Sequence, residues 1–186
     1  MKTSSRNFIE NIISYGMIAG LLVIIARSAI YLFDIDQTNV SFAAFNFVYN
    51  LVVISVCLYF GTIAYRKKTA TGNLAYGKGL LMCICISFVA VFLIYTYDII
   101  FYVYIAPDYL ANMLEPQVAA IANSPIPLIQ KMELMYKLEK YKSPFYFTGM
   151  NALTSTGLSL AVSLIMAIFT VRNRPISNEQ LTMDNE

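Results

Sequence analysis

The chain is 186 residues long, 58% hydrophobic and 13% charged, with a mean hydropathy of +0.61. Soluble domains carry about a quarter charged residues, so this surplus of apolar side chains argues against a water-soluble enzyme, a disordered chain or a fibrous one. The net charge is only +2, the basic residues stand in short blocks between apolar runs, and histidine is absent. Nucleic acid is therefore not an expected partner, and the commonest general base and metal ligand are missing.

Four apolar runs reach the roughly 20 residues that a bilayer-crossing helix needs. Backbone groups in lipid must be satisfied internally, and the runs are too continuous for alternating barrel strands. The expected architecture is an all-α membrane fold: a four-transmembrane-helix bundle with an amphipathic helical outer loop. It forms a single domain over residues 1–174, with a polar tail over 175–186.

The first run covers residues 12–33 and is broken only by Arg27. Ala26-Arg27-Ser28-Ala29 loosely resembles a signal-peptide cleavage site, but Glu10 before the run, its length and the arginine in the site argue for an uncleaved span. Asp34 and Asp36 follow; two carboxylates in a solvated link are weak grounds for a cation site. The second run, 43–65, has no charge and contains Asn46 and Asn50 one turn apart. The link after it reads RKKTATGNLAYGKG. No strand precedes its glycines and no Gly-Lys-Ser/Thr follows, so it is no phosphate loop; anchoring to anionic headgroups is expected.

The third run, 80–105, carries Asp98. The link over 106–146 is long enough to hold structure of its own. Pro107-Asp108 suits a helix start, and Tyr109, Leu110, Met113 and Leu114 follow at helical spacing until Pro116 interrupts. Past Pro125 and Pro127, Leu128, Met132, Met135 and Leu138 form one apolar stripe, with Glu133 and Lys137 at i, i+4. This segment is expected to lie on the outer leaflet, cap the bundle or bind a partner helix. Ser143-Pro144 turns the chain into the fourth run, 147–171, which Arg172 and Arg174 close. Lys2 and Arg6, the RKK link and this last pair fall on one side of a four-pass chain. Both termini are thus expected in the cytoplasm.

A charge inside a span costs of order 2.5–3.5 kcal/mol, so each needs a reason. Arg27 and Asp98 lie at matched depth, roughly 10 Å below the outer boundary at about 1.5 Å per residue, and should pair across two helices. Gly16 and Gly20 share Arg27's face at the small-xxx-small spacing that lets helices approach. Gly79, Cys83, Ser87 and Asp98 share one face of the third run. Asn46, Asn50, Thr148, Asn151, Ser155, Ser159 and Ser163 come from the other two, and Tyr31, Tyr49, Tyr95, Tyr97 and Tyr102 ring the group. The cluster can act as packing glue, as an outward pocket for a small polar or amphipathic ligand, or as a proton relay through Asp98.

No catalytic, cofactor-binding or metal-binding set is expected. Cys57, Cys83 and Cys85 lie inside runs without redox or zinc spacing, and a Ser–His–Asp arrangement is impossible. Tyr15-Gly16 with Gly20, Tyr76-Gly77-Lys78-Gly79, and the segment from Ile100 through Tyr102 and Tyr104 to Pro107-Asp108 resemble a bacterial family of small integral membrane proteins classed as a domain of unknown function. The resemblance covers about residues 7–173. It implies a bacterial inner membrane protein, a membrane-associated glycosyltransferase as partner and a setting in envelope biogenesis. It carries no catalytic residues.

The leading expectation is thus a non-enzymatic structural or accessory subunit that engages a membrane partner. The alternative is a small carrier or ligand-binding protein with an outward pocket around Arg27 and Asp98. Four helices leave little room for a translocation path, so a carrier would need to form a homo-oligomer. The pocket reading requires a cavity that reaches Asp98.

Overall fold

A computed structural model describes residues 2–33, 35, 40–68 and 74–171. Asp34, Asp36, Arg172, Arg174 and the tail 175–186 lie outside the described residues. The elements are α1 (Lys2–Leu32), α2 (Val40–Lys68), α3 (Tyr76–Ile100), α4 (Tyr109–Asn123), α5 (Leu128–Tyr141) and α6 (Pro144–Val171). A π-helical turn over Phe101–Ile105 continues α3. Four segments are long and apolar enough to cross a bilayer: Arg6–Leu32, Ala44–Lys67, Tyr76–Ile105 and Pro144–Thr170. The protein is an all-α membrane-spanning bundle.

The helices run further than their apolar cores. Helix α1 begins ten residues before Ile12, and Arg6 Nε donates to Glu10 Oε1 one turn on at 2.8 Å. A formed helix adds one backbone hydrogen bond for each residue it recruits, so polar flanks join readily. Helix α6 begins at Pro144, where the missing N–H is no loss.

Large apolar side chains face outward along the bundle. Phe88 and Phe92 are 69% and 64% exposed, a pattern that suits lipid as the surrounding solvent. The interior mixes apolar side chains such as Leu58, Met82 and Ile86 with small and polar ones such as Ala19, Thr62, Ser87 and Ser163. Helix α3 is central and packs most extensively on α6 and α1. A Cβ on Gly16 would lie 2.7 Å from Val89 Cβ, and one on Gly20 would lie 2.9 Å from Leu93 Cδ2. Without these glycines, α1 could not sit so close to α3. The face predicted for α3 is the inward one: Gly79, Cys83, Ser87 and Asp98 are all buried.

At the end holding the start of α1 and α3 and the finish of α2 and α6, the core is apolar. Leu58, Met82 and Ile86 form its centre, with Phe8, Ile12, Tyr15 and Met166 packed against it. Two polar side chains here bond backbone carbonyls. Thr62 Oγ1 donates to the Leu58 carbonyl at 2.8 Å, and Arg66 Nη1 donates to the Thr170 carbonyl at 3.0 Å. We call this the closed end.

The opposite end is covered by the α3–α6 connection, and here one expectation is corrected. Pro116 does not interrupt the helix, since α4 continues through it to Asn123. A proline deprives the carbonyl four residues earlier of its partner. That residue, Asn112, and Pro116 itself are both exposed, so the freed carbonyl lies on the open side of the helix. Helix α4 buries Leu110 and Leu114 and caps the bundle, whereas α5 buries no residue. The Glu133–Lys137 pair forms at 2.7 Å along α5.

Candidate functional site

Arg27 lies on α1 about two turns beyond Gly20, and the close α1–α3 approach carries its side chain onto Asp98 of α3. Arg27 Nη1 donates to Asp98 Oδ2. Beside this ion pair, Ser28 Oγ and Tyr97 Oη are 2.7 Å apart and hydrogen-bonded, a second α1–α3 link at the same level. The two charges are not equally hidden: the Asp98 side chain is 4% exposed and that of Arg27 is 27%. Two opposite charges in a low-dielectric setting hold each other strongly, and either one left alone would be costly.

The exposed side of Arg27 faces a cavity of about 250 Å³ at the capped end. Asn46 of α2 and Asn151 and Ser155 of α6 complete its polar wall, and Tyr31, Tyr97, Phe101, Tyr102, Tyr109 and Phe147 supply rings. All four spanning helices contribute, together with the first residue of α4. The rings brace one another. Tyr31 meets Phe101 edge-on at 4.9 Å between centroids, Tyr102 meets Phe147 edge-on at 5.5 Å, and Tyr102 stacks on Tyr109 at 6.1 Å. Edge-on and offset pairs are the arrangements that the ring quadrupole favours.

The π-helical turn matters here. The Ala106 N–H bonds the Phe101 carbonyl, five residues back, at 2.8 Å. The wider turn shifts the register of the residues that follow it, while Tyr97, Asp98, Phe101 and Tyr102, at ordinary helical spacing, line the cavity. Single π turns inside α-helices occur frequently at functional sites.

Six of the eight residues singled out from the sequence line this cavity: Arg27, Asp98, Asn46, Asn151, Tyr31 and Tyr102. Two do not. Asn50 is turned along its own helix, its Nδ2 donating to the Asn46 carbonyl at 2.6 Å and to Asn46 Oδ1 at 3.0 Å. One turn of helix lets one asparagine satisfy the other, which withdraws Asn50 from the wall. Tyr95 instead lines a second space of about 10 Å³ behind the pair, shared with Arg27, Asp98, Thr148 and Asn151. Tyr49, placed with the ring of tyrosines, donates its hydroxyl to the Leu22 carbonyl at 3.1 Å on the α1–α2 seam. Ser159 and Ser163 lie deeper, where Ser163 and Ser87 hydroxyls join α6 to α3 at 3.4 Å.

Phe101, Tyr109, Phe147 and Thr154 belong to the cavity and were not read from the sequence. Phe147 stands one turn before Asn151, a spacing that could have signalled it. Tyr109 looks like part of a surface helix until the fold returns that helix over the bundle.

The cavity wall offers hydrogen-bonding groups and aromatic rings. Among the described residues no group of three or more histidine, cysteine or acidic side chains could hold a metal ion. Cys57, Cys83 and Cys85 are free thiols. Residues 14–172 match the family model described as a protein of unknown function, DUF4199. The chain belongs to this family. No curated protein and no solved structure matches it.

Proposed function

We propose that this member of the DUF4199 family is a non-enzymatic integral membrane protein that binds one small polar or amphipathic molecule at the capped end of its bundle. The observation that carries this reading is the cavity against the Arg27–Asp98 pair. A pair serving packing alone would be covered on all sides, whereas the Arg27 side chain is 27% exposed and lines the cavity. A cavity reaching Asp98 is what the pocket alternative requires and the glue reading does not. The absence of histidine in the sequence and the engagement of Asp98 by Arg27 support a binding role over acid–base catalysis.

The test is native mass spectrometry of the protein released from its membrane. The expected result is a bound small molecule in wild type that disappears in Ser155→Phe, which fills the cavity. Identical bare masses for both proteins would sink the reading.

A second reading is favoured by α5. Leu128 and Ile129 are 71% and 76% exposed, and the helix buries nothing. An accessory subunit that docks a membrane partner, such as a glycosyltransferase of envelope biogenesis, would present such a surface. Affinity purification in mild detergent should then return one partner in fixed ratio, and Ile129→Glu should release it. For location we propose a bacterial inner membrane with both termini cytoplasmic. The Lys and Arg residues gathered at the closed end support that orientation.

A further inference from the structure

We infer that the cavity at the capped end takes an uncharged molecule bearing several hydroxyl groups, a sugar ring or a polyol; this rests on the reading of that cavity as a ligand site. Charge balance comes first. Among the described residues, Arg27 and Asp98 are the only charged ones in the wall of the cavity, and they neutralise each other. An anion accepting from the exposed side of Arg27 would leave a net negative charge in a low-dielectric pocket, and a cation would leave a positive one. Either would bear the desolvation cost of an uncompensated ion. A neutral molecule bears none.

The hydrogen-bonding groups then select among neutral molecules. Asn151 and Ser155, one turn apart on α6, both line the cavity, and neither side chain makes a hydrogen bond to other described residues. An asparagine amide offers donors on one atom and an acceptor on the other, and a serine hydroxyl does both. Arg27 offers donors only. A ligand matched to this wall must donate and accept at adjacent points, which neighbouring hydroxyl groups do. The aromatic side of the cavity, with Tyr31, Phe101, Tyr102 and Tyr109, suits the apolar C–H face of such a ring. The size agrees. The cavity of about 250 Å³ lies just below the roughly 300–1,000 Å³ of sites for drug-sized ligands, which suits one ring rather than a chain of them.

The experiment uses the full chain in lipid nanodiscs, because a sugar-headed detergent would compete for the site. Saturation-transfer NMR is recorded with glucose, N-acetylglucosamine and myo-inositol as neutral probes, acetate and glycerol 3-phosphate as anions, and choline as cation. The expected result is saturable binding of at least one neutral probe, unchanged between low and high salt. Asn151→Leu should weaken it roughly tenfold, the equivalent of one hydrogen bond. Ser155→Val, a smaller change in the same wall, gives the same reading if the leucine variant does not fold. Binding confined to an anion or to choline would overturn the ligand class and leave the pocket standing. No saturable signal from any of the six probes would overturn the pocket itself. Binding of a neutral probe that neither variant weakens would place it elsewhere and overturn the assignment.

Discussion

The two ends of the bundle are made from the same four helices and solve opposite problems. At the closed end, glycines and short side chains draw the helices together over an apolar core. At the capped end an ion pair ties α1 to α3, while asparagines and a set of rings line a space of about 250 Å³ that stays open among the four helices. Side-chain chemistry accounts for much of the difference. Small apolar residues have no cost in meeting, while polar groups and rings meet only in the few orientations that satisfy them. A membrane bundle can thus be solid at one end and receptive at the other.

The sharpest way to break this contrast is to remove one charge. Asp98→Ala should destabilise the protein by about 3–5 kcal/mol, because Arg27 is left unpaired beneath the cap. Reversible unfolding in mixed micelles would measure it. Converting Arg27 and Asp98 together to apolar residues of similar size should restore much of the loss. If the double variant were no better than Asp98→Ala, the pair would not be the element that organises this end.

The closed end should answer to volume instead. Gly16→Leu pushes against Val89 and the Ile86 carbonyl, and overpacking of this kind costs roughly 1–3 kcal/mol. The same unfolding assay checks it, and a neutral effect would mean that α1 and α3 are free to separate there. A smaller effect is expected from Tyr109→Ala, which removes the ring that α4 stacks on Tyr102. One aromatic pair contributes about 0.5–1.5 kcal/mol. The variant should lose ligand affinity by more than it loses stability, since the roof of the cavity goes with it.

The smallest effect belongs to α5. Lys137 holds the Glu133 carboxyl below the ordinary glutamate range by a hydrogen bond, and Glu133 raises the Lys137 ammonium in return. A depressed carboxylate stabilises the fold above its unfolded value, and that contribution fades as pH falls through the folded one. Both groups are open to solvent, so acidification through that range, or Glu133→Gln, should leave the melting temperature nearly unchanged. A large drop would mean that α5 is clamped more firmly than its exposure indicates.

Much of this was legible in residues alone. The length and continuity of four apolar runs demand four helices in lipid, because no other backbone arrangement satisfies its own hydrogen bonds there. Gly16 and Gly20 announce a close approach, and two isolated opposite charges at one depth announce each other. Asn46 and Asn50 show where such reading stops. Both sit on the face that one-turn spacing predicts, yet each can bond its neighbour along the helix, and only Asn46 reaches the cavity. Pro116 shows the same from the other side, since its exposure, which decides whether the helix survives it, is a property of packing.

The sequence by itself determined the class of fold, the number of spans and the placing of two lone opposite charges at one depth. These follow from one-body costs: the transfer of backbone and charge into lipid, which depend on the residue and its depth alone. Only the tertiary structure decided that the pair borders open space, that the π turn beyond Ile100 shifts the register there, and that α4 returns Tyr109 over the opening. A cavity is the place where side chains fail to meet. That failure depends on how several helices pack at once, which no single run of residues contains.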